Sequence, residues 1–121
     1  MTNATKKLPR FEEVVRPWGR FKRFTHNEQT TVKTIRVDPG HSISLQRHRH
    51  RDEYWYVIEG TGIIHIDGVD YEASEGSDFF CPRGCVHRVS GGPEGTTFIE
   101  IAFGEFDEND IERLEDLYGR S

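Results

Sequence analysis

Short runs of β-branched and aromatic residues, each closed by glycine or proline, recur along most of the chain and call for strands rather than helices. Thr30–Val37 reads as a strand, and Asp38-Pro39-Gly40 stops it because proline and glycine supply turn dihedrals. Residues 42–47 alternate and read as the next strand, and residues 53–58 (Glu-Tyr-Trp-Tyr-Val-Ile) form the strongest strand by composition. Gly60-Thr61-Gly62 reads as a turn, and residues 63–66 and 69–73 flank Asp67-Gly68, a hairpin signal. Phe79-Phe80, His87-Arg88-Val89 and residues 96–103 follow, each bounded by glycine or proline. Many short strands with regular turns predict an all-β barrel or sandwich. The exception is at the C-terminus, where Ile111, Leu114 and Leu117 or Tyr118 recur at helical spacing and predict one short helix. Asn109, with Glu112 three residues on, would cap it.

A chain of 121 residues is the size of one domain. Residues 1–12 carry little pattern and are expected to form an arm, with residues 13–121 as the domain. The net charge of -5 argues against nucleic acid as a general partner. No apolar run has the length of a membrane span, so no membrane partner is expected. Lys6-Lys7 is not followed by a hydrophobic stretch, so the N-terminus is not read as a secretory signal and the cytoplasm is the expected compartment. Cys81 and Cys85 are then expected to be reduced, with a structural role at a turn.

The segment that carries chemistry runs from Gly40 to Gly60. Side chains alternate along a strand, so Gln46 and His48 share one face. The turn Arg49-His50-Arg51-Asp52 can bring Glu53 back to the same interior, with Trp55 and Val57 walling the site. A second segment, residues 76–87, adds His87 after the turn Pro82-Arg83-Gly84. Imidazole nitrogens with a carboxylate are ligands of a borderline divalent metal, and Gln46 would add a carbonyl oxygen. One alternative stays open: His50 completes the shell and Gln46 supports it from behind. His26, His41 and His65 lack partners at useful spacing and read as surface or scaffold.

Gly40, five residues, Gln46-x-His48, four residues, Glu53, six residues, Gly60 resembles the first cupin motif, with Gln46 in the place of its first histidine. Gly76, five residues, Pro82-x-Gly84, two residues, His87 resembles the second, with Gly91 replacing its trailing asparagine. Arg16-Pro17-Trp18-Gly19, Val37-Asp38-Pro39-Gly40, the stretch from Ser44 to Arg51, His87-Arg88, and the tail from Asp110 to Arg120 look like the type II mannose-6-phosphate isomerases. In that family the domain often follows a mannose-1-phosphate guanylyltransferase domain. The resemblance covers roughly Arg16 to Arg120. It departs at His48-Arg49-His50, where the family commonly has three successive histidines. These residues carry no counterpart of the glycine-rich nucleotide loop, so nucleotidyl transfer is not expected of them.

The resemblance implies a cupin barrel, a double-stranded β-helix, holding one divalent ion on Gln46, His48, Glu53 and His87. Zinc is the first expectation, and manganese, iron, cobalt and nickel accept the same donors. It further implies an aldose–ketose isomerase acting on mannose 6-phosphate. His50 is a candidate proton carrier, and Glu100 another if its strand parity points inward. Arg49, Arg51, Arg36, Arg83 and Arg88 are candidate phosphate ligands, with Arg88 ranked first because it adjoins His87 and Arg36 also retained. The rival classes are a metal-dependent dioxygenase, and a non-catalytic sugar- or metal-binding module. Exposed sheet edges suggest a homodimer.

Overall fold

The structure, a computed structural model, describes residues 12–116. The regular elements among them are all strands: β1 (Glu12–Arg16), β2 (Gly19–Arg23), β3 (Thr30–Val37), β4 (Leu45–Arg47), β5 (Asp52–Ile66), β6 (Val69–Ala73), β7 (Asp78–Cys81), β8 (His87–Phe103) and β9 (Glu112–Glu115). The long strands β5 and β8 form the spine. They pair antiparallel from Asp52 opposite Phe103 to Ile66 opposite His87, and the register slips between Val57 and Glu59 and again between Gly60 and Gly62. Such bulges bend a strand, so β5 and β8 each pass from one sheet into the other. One wall pairs residues 52–60 with residues 96–103 and is flanked by β7 and β3. The other pairs residues 62–66 with residues 87–91 and is flanked by β6 on one side and by β4, then β9, on the other. This is the double-stranded β-helix that the motifs imply. A separate hairpin joins β1 and β2.

Gly60-Thr61-Gly62 is therefore a bend inside β5, not a turn between strands. A β-carbon on Gly60 or Gly62 would collide with the carbonyl oxygen of Gly95 or Ser90, and Gly60 also has φ 81°. Only glycine lets the two spine strands approach so closely.

Alternation sorts the side chains into two apolar clusters. Trp55, Val57, Ile64, Val89 and Phe98 point inward, each at most 1% exposed. Burying a side chain of this kind contributes about 1.5–3 kcal/mol. Tyr54, Ile101 and Phe103 point outward from the same strands and, with Phe80 of β7, pack against Phe24 and Tyr56. The Phe24 ring lies 5.4 Å from that of Tyr54.

Two expectations are corrected here. The C-terminal segment is not helical where it is described: Glu112–Glu115 forms β9, with Arg113 opposite Gln46 and Arg47 opposite Glu112. The edge of β4 offers this segment backbone partners, and over the described residues that pairing outweighs the helical spacing of Ile111 and Leu114. Asn109 donates its backbone N–H to Asp107 Oδ1 at 2.9 Å rather than opening a helix. Leu117 and Tyr118 lie outside the described residues. The cysteines are joined: Cys81 and Cys85 form a disulfide across the Pro82-Arg83-Gly84 turn, with Cα atoms 5.8 Å apart. The turn sets that separation, which lies within disulfide reach. Among the described residues no helix is long and apolar enough to cross a membrane.

Candidate metal centre

Three strand ends meet at one mouth of the barrel. Glu53 is the second residue of β5 and shares the inward face of Trp55 and Val57. His48 follows β4, and His87 opens β8. Their exposures are 5% for His48, 2% for Glu53 and 3% for His87. His48 Nε2 lies 3.6 Å from Glu53 Oε2, and His87 Nε2 lies 3.9 Å from Glu53 Oε1. One ligand atom from each of the three falls within 4.8 Å of the others.

The far side of each imidazole fixes its tautomer. His48 Nδ1 donates to the Asp110 carbonyl at 2.7 Å, and His87 Nδ1 donates to the Cys85 carbonyl at 3.2 Å. A carbonyl only accepts, so both protons sit on Nδ1 and both Nε2 atoms face the centre as acceptors, the His48 one already accepting from Arg51 Nη2 at 3.3 Å. Burial drives the His87 pKa down to about 4, which keeps that ring neutral at neutral pH. Burial alone would raise the pKa of Glu53, but His87, His48 and the Arg51 guanidinium outweigh it and hold the carboxylate below its ordinary range.

Gln46 is buried, lies opposite His87 in register, and lines the same cavity. Its Nε2 donates to the Ser44 carbonyl at 3.3 Å, which leaves the amide oxygen for the interior. His50 is exposed on the turn and does not line the cavity. Its backbone N–H and that of Arg49 donate to the Asp110 carboxylate, each at 2.9 Å. Slight burial opposes these donors, yet they hold Asp110 below the usual carboxylate range. Asp110 thus clamps the turn with its side chain and orients His48 with its main chain.

The donor set fits a divalent cation: two neutral imidazoles with inward lone pairs, one ionised carboxylate and one amide oxygen. Arg51 belongs to the same centre. It is 6% exposed, donates from Nε to Glu53 Oε2 at 2.8 Å, and places Nη2 3.3 Å from His48 Nε2. Its guanidinium also lies 4.2 Å from the centre of the Phe106 ring. Such a cation would therefore share Glu53 with Arg51.

A cavity of about 180 Å³ opens beside these groups, walled by Trp55, Phe98 and Val89, with Glu100 reaching in from β8. Glu100 lies opposite Trp55 on one side and Lys33 on the other. Burial first, and the neighbouring Glu53 second, push its pKa up to about 7. The arginines ranked first as phosphate ligands are elsewhere. Arg88 binds the Ile43 carbonyl and Glu115, and Arg36 binds Asp38, Thr97 and the Glu94 carbonyl. Neither lines the cavity. The reason for Arg88 is parity: the residue after an inward His87 points outward. The cavity's cations are Lys33, Arg51 and Arg113. Lys33 and Arg113 were not singled out by motif, although alternation on β3 and β9 brings both inward.

The sequence profile described as "Mannose-6-phosphate isomerase C-terminal" matches residues 3–116. The chain belongs to that family. It is 40% identical over 111 residues to the alginate biosynthesis protein AlgA of Pseudomonas aeruginosa, covering 90% of this chain and 23% of AlgA. It is 37% identical over 110 residues to the mannose-1-phosphate guanylyltransferase ManC of Salmonella typhimurium, covering 89% of this chain and 23% of ManC. The chain therefore spans about a quarter of the length of these curated relatives, with the family's cupin domain as the shared part. Among solved structures, a mutant of Bacillus subtilis oxalate decarboxylase superposes with a TM-score of 0.67 at 26% identity, over 73% of this chain and 25% of that one.

Proposed function

We propose that this chain is a metal-dependent isomerase that interconverts mannose 6-phosphate and fructose 6-phosphate. The observation that carries the reading is the meeting of His48, Glu53, His87 and Gln46 beside a cavity into which the carboxyl group of Glu100 also points. Membership of the mannose-6-phosphate isomerase C-terminal family supports the substrate. The metal is placed as zinc first. Manganese gains support from the Mn(II) centres of the B. subtilis oxalate decarboxylase, whose structure superposes at 26% identity.

A divalent ion held by these four side chains would polarise the carbonyl of the open-chain sugar and stabilise the oxyanion that develops on it. The remaining work falls to the chain's own groups. Glu100 takes the proton from C2 of the aldose and returns it to C1, while the hydroxyl proton passes from the C2 oxygen to the C1 oxygen. Trp55 and Phe98 exclude bulk water from the enediol. His50 has no part in this scheme, because its side chain lies on the exposed turn. The assembly proposed is a homodimer, in which a second copy would cover Val15 and Trp18, each 73% exposed on and beside the β1–β2 hairpin.

The test is conversion of mannose 6-phosphate by protein loaded separately with each candidate metal, beside His48→Ala and His87→Ala. Metal-dependent turnover that disappears in both variants is the expected result. Absence of turnover with every metal, while one ion per chain is retained, would overturn the isomerase and leave a binding module. Oxygen uptake with iron would instead select the dioxygenase.

A further inference from the structure

Among the described residues, the charges that reach the cavity do not all find partners. Arg51 is neutralised by Glu53 at 2.8 Å. Lys33 is paired at the rim with Glu108 Oε2 at 3.6 Å, a cavity-lining carboxylate whose side chain is 78% exposed, and it faces Glu100 across the strand pair. The Lys33 ammonium also rests 4.5 Å from the centre of the Phe106 ring. Arg113 is different: its Nε is buried without a hydrogen-bond partner, and among the described residues no ion pair reaches it. By contrast, Arg36, Arg47 and Arg88 all end on carboxylates. A buried guanidinium N–H without an acceptor is unfavourable, and such a donor in a cavity wall marks the place where a ligand supplies the acceptor.

Strand register fixes where that donor stands. Arg113 lies opposite Gln46, and Gln46 lies opposite His87. Arg113 is thus two strand spacings, roughly 10 Å, from a metal-ligating strand position. On the facing wall, Lys33 lies opposite Glu100, which lies opposite Trp55. Each wall repeats one order: a cation at the edge and a chemical group one strand further in.

We propose that Arg113, with Lys33 across the mouth, is the anion anchor that grips the phosphate of the sugar phosphate while its reacting carbons lie at Gln46, His87 and Glu100. The inference rests on the isomerase reading above and deepens it. A guanidinium presents parallel N–H donors that match two phosphate oxygens, and an ammonium adds a point charge. Two strand spacings leave a hexose room to lie between its two ends.

The test uses the metal-loaded full chain as wild type, Arg113→Met, Arg113→Lys and, remote from the cavity, Arg36→Met. Calorimetric titration with mannose 6-phosphate, mannose and inorganic phosphate reads binding, and the isomerase assay reads KM and kcat separately. In Arg113→Met, both phosphorylated probes should bind on the order of tenfold to hundredfold more weakly. KM should rise in step, kcat should change far less, and mannose binding should stay constant. Arg113→Lys should recover part of the loss, and Arg36→Met should match the wild type. Should Arg113→Met fail to fold, Lys33→Met is read instead, with weaker mannose 6-phosphate binding and unchanged mannose binding expected. Unchanged mannose 6-phosphate binding in the folded variant overturns the anchor, as does an equal loss for mannose. Binding that depends on Arg113 without turnover would keep the anchor and sink the isomerase. Turnover with an unchanged KM in Arg113→Met would do the reverse.

Discussion

The two faces of β5 and β8 are built from neighbouring residues and do opposite things. Outward, Tyr54, Ile101 and Phe103 pack with Phe80 under Phe24, an apolar cluster whose burial favours folding. Inward at the same level, Glu53 and Glu100 are buried at 2% and 7% exposure, beside His48, His87 and Arg51. Taking charges out of water is unfavourable, and even a well-formed buried ion pair often does no more than break even with apolar packing. The barrel thus carries stability on the outer face of this wall and in the apolar half of its interior. The polar mouth is kept for chemistry.

The largest effect expected from breaking this contrast is at Glu53. Glu53→Ala leaves the Arg51 guanidinium buried without its 2.8 Å partner, and removing one member of a buried pair costs about 3–5 kcal/mol. Urea denaturation would read that loss, and metal analysis should find the ion gone from the same variant. Ile101→Ala sits on the other face of the same wall and should cost about 2–5 kcal/mol through the cavity it leaves. Its metal content should stay at the wild-type level; loss of the ion there would mean that the two faces are not separable. The smallest effect is at Tyr54, which donates to Asp78 Oδ2 at 2.8 Å. Tyr54→Phe should cost about 1.5 kcal/mol in the same denaturation measurement, with turnover unchanged.

The spacing Gln46-x-His48 followed by Glu53 was legible because strand alternation and one short turn suffice to bring these side chains together, and the structure gathers them with His87. The all-β class was legible from glycine and proline punctuation. The C-terminal strand was not, because three or four apolar positions fit a helix, while β9 depends on an edge of β4 that is distant in sequence. That error also hid Arg113, which reaches the cavity only when its segment is extended. Ranking Arg88 by its adjacency to His87 ignored the very alternation used for Gln46 and His48. Asp110 stood in the tail that carries the resemblance, but no role could be read for it there, since it acts through its own carbonyl and through two backbone amides. Arg51 had stood among the candidate anion ligands, and only burial reveals it as the internal partner of Glu53.

The most direct test of the central claim is the number of divalent ions per chain, counted by elemental mass spectrometry on purified wild type and on His87→Ala. One ion per chain in the wild type, absent from the variant while the variant remains folded, is the predicted result. An ion that persists in folded His87→Ala, or a wild type that binds none from any candidate metal, would contradict the assignment of this cluster as a metal centre.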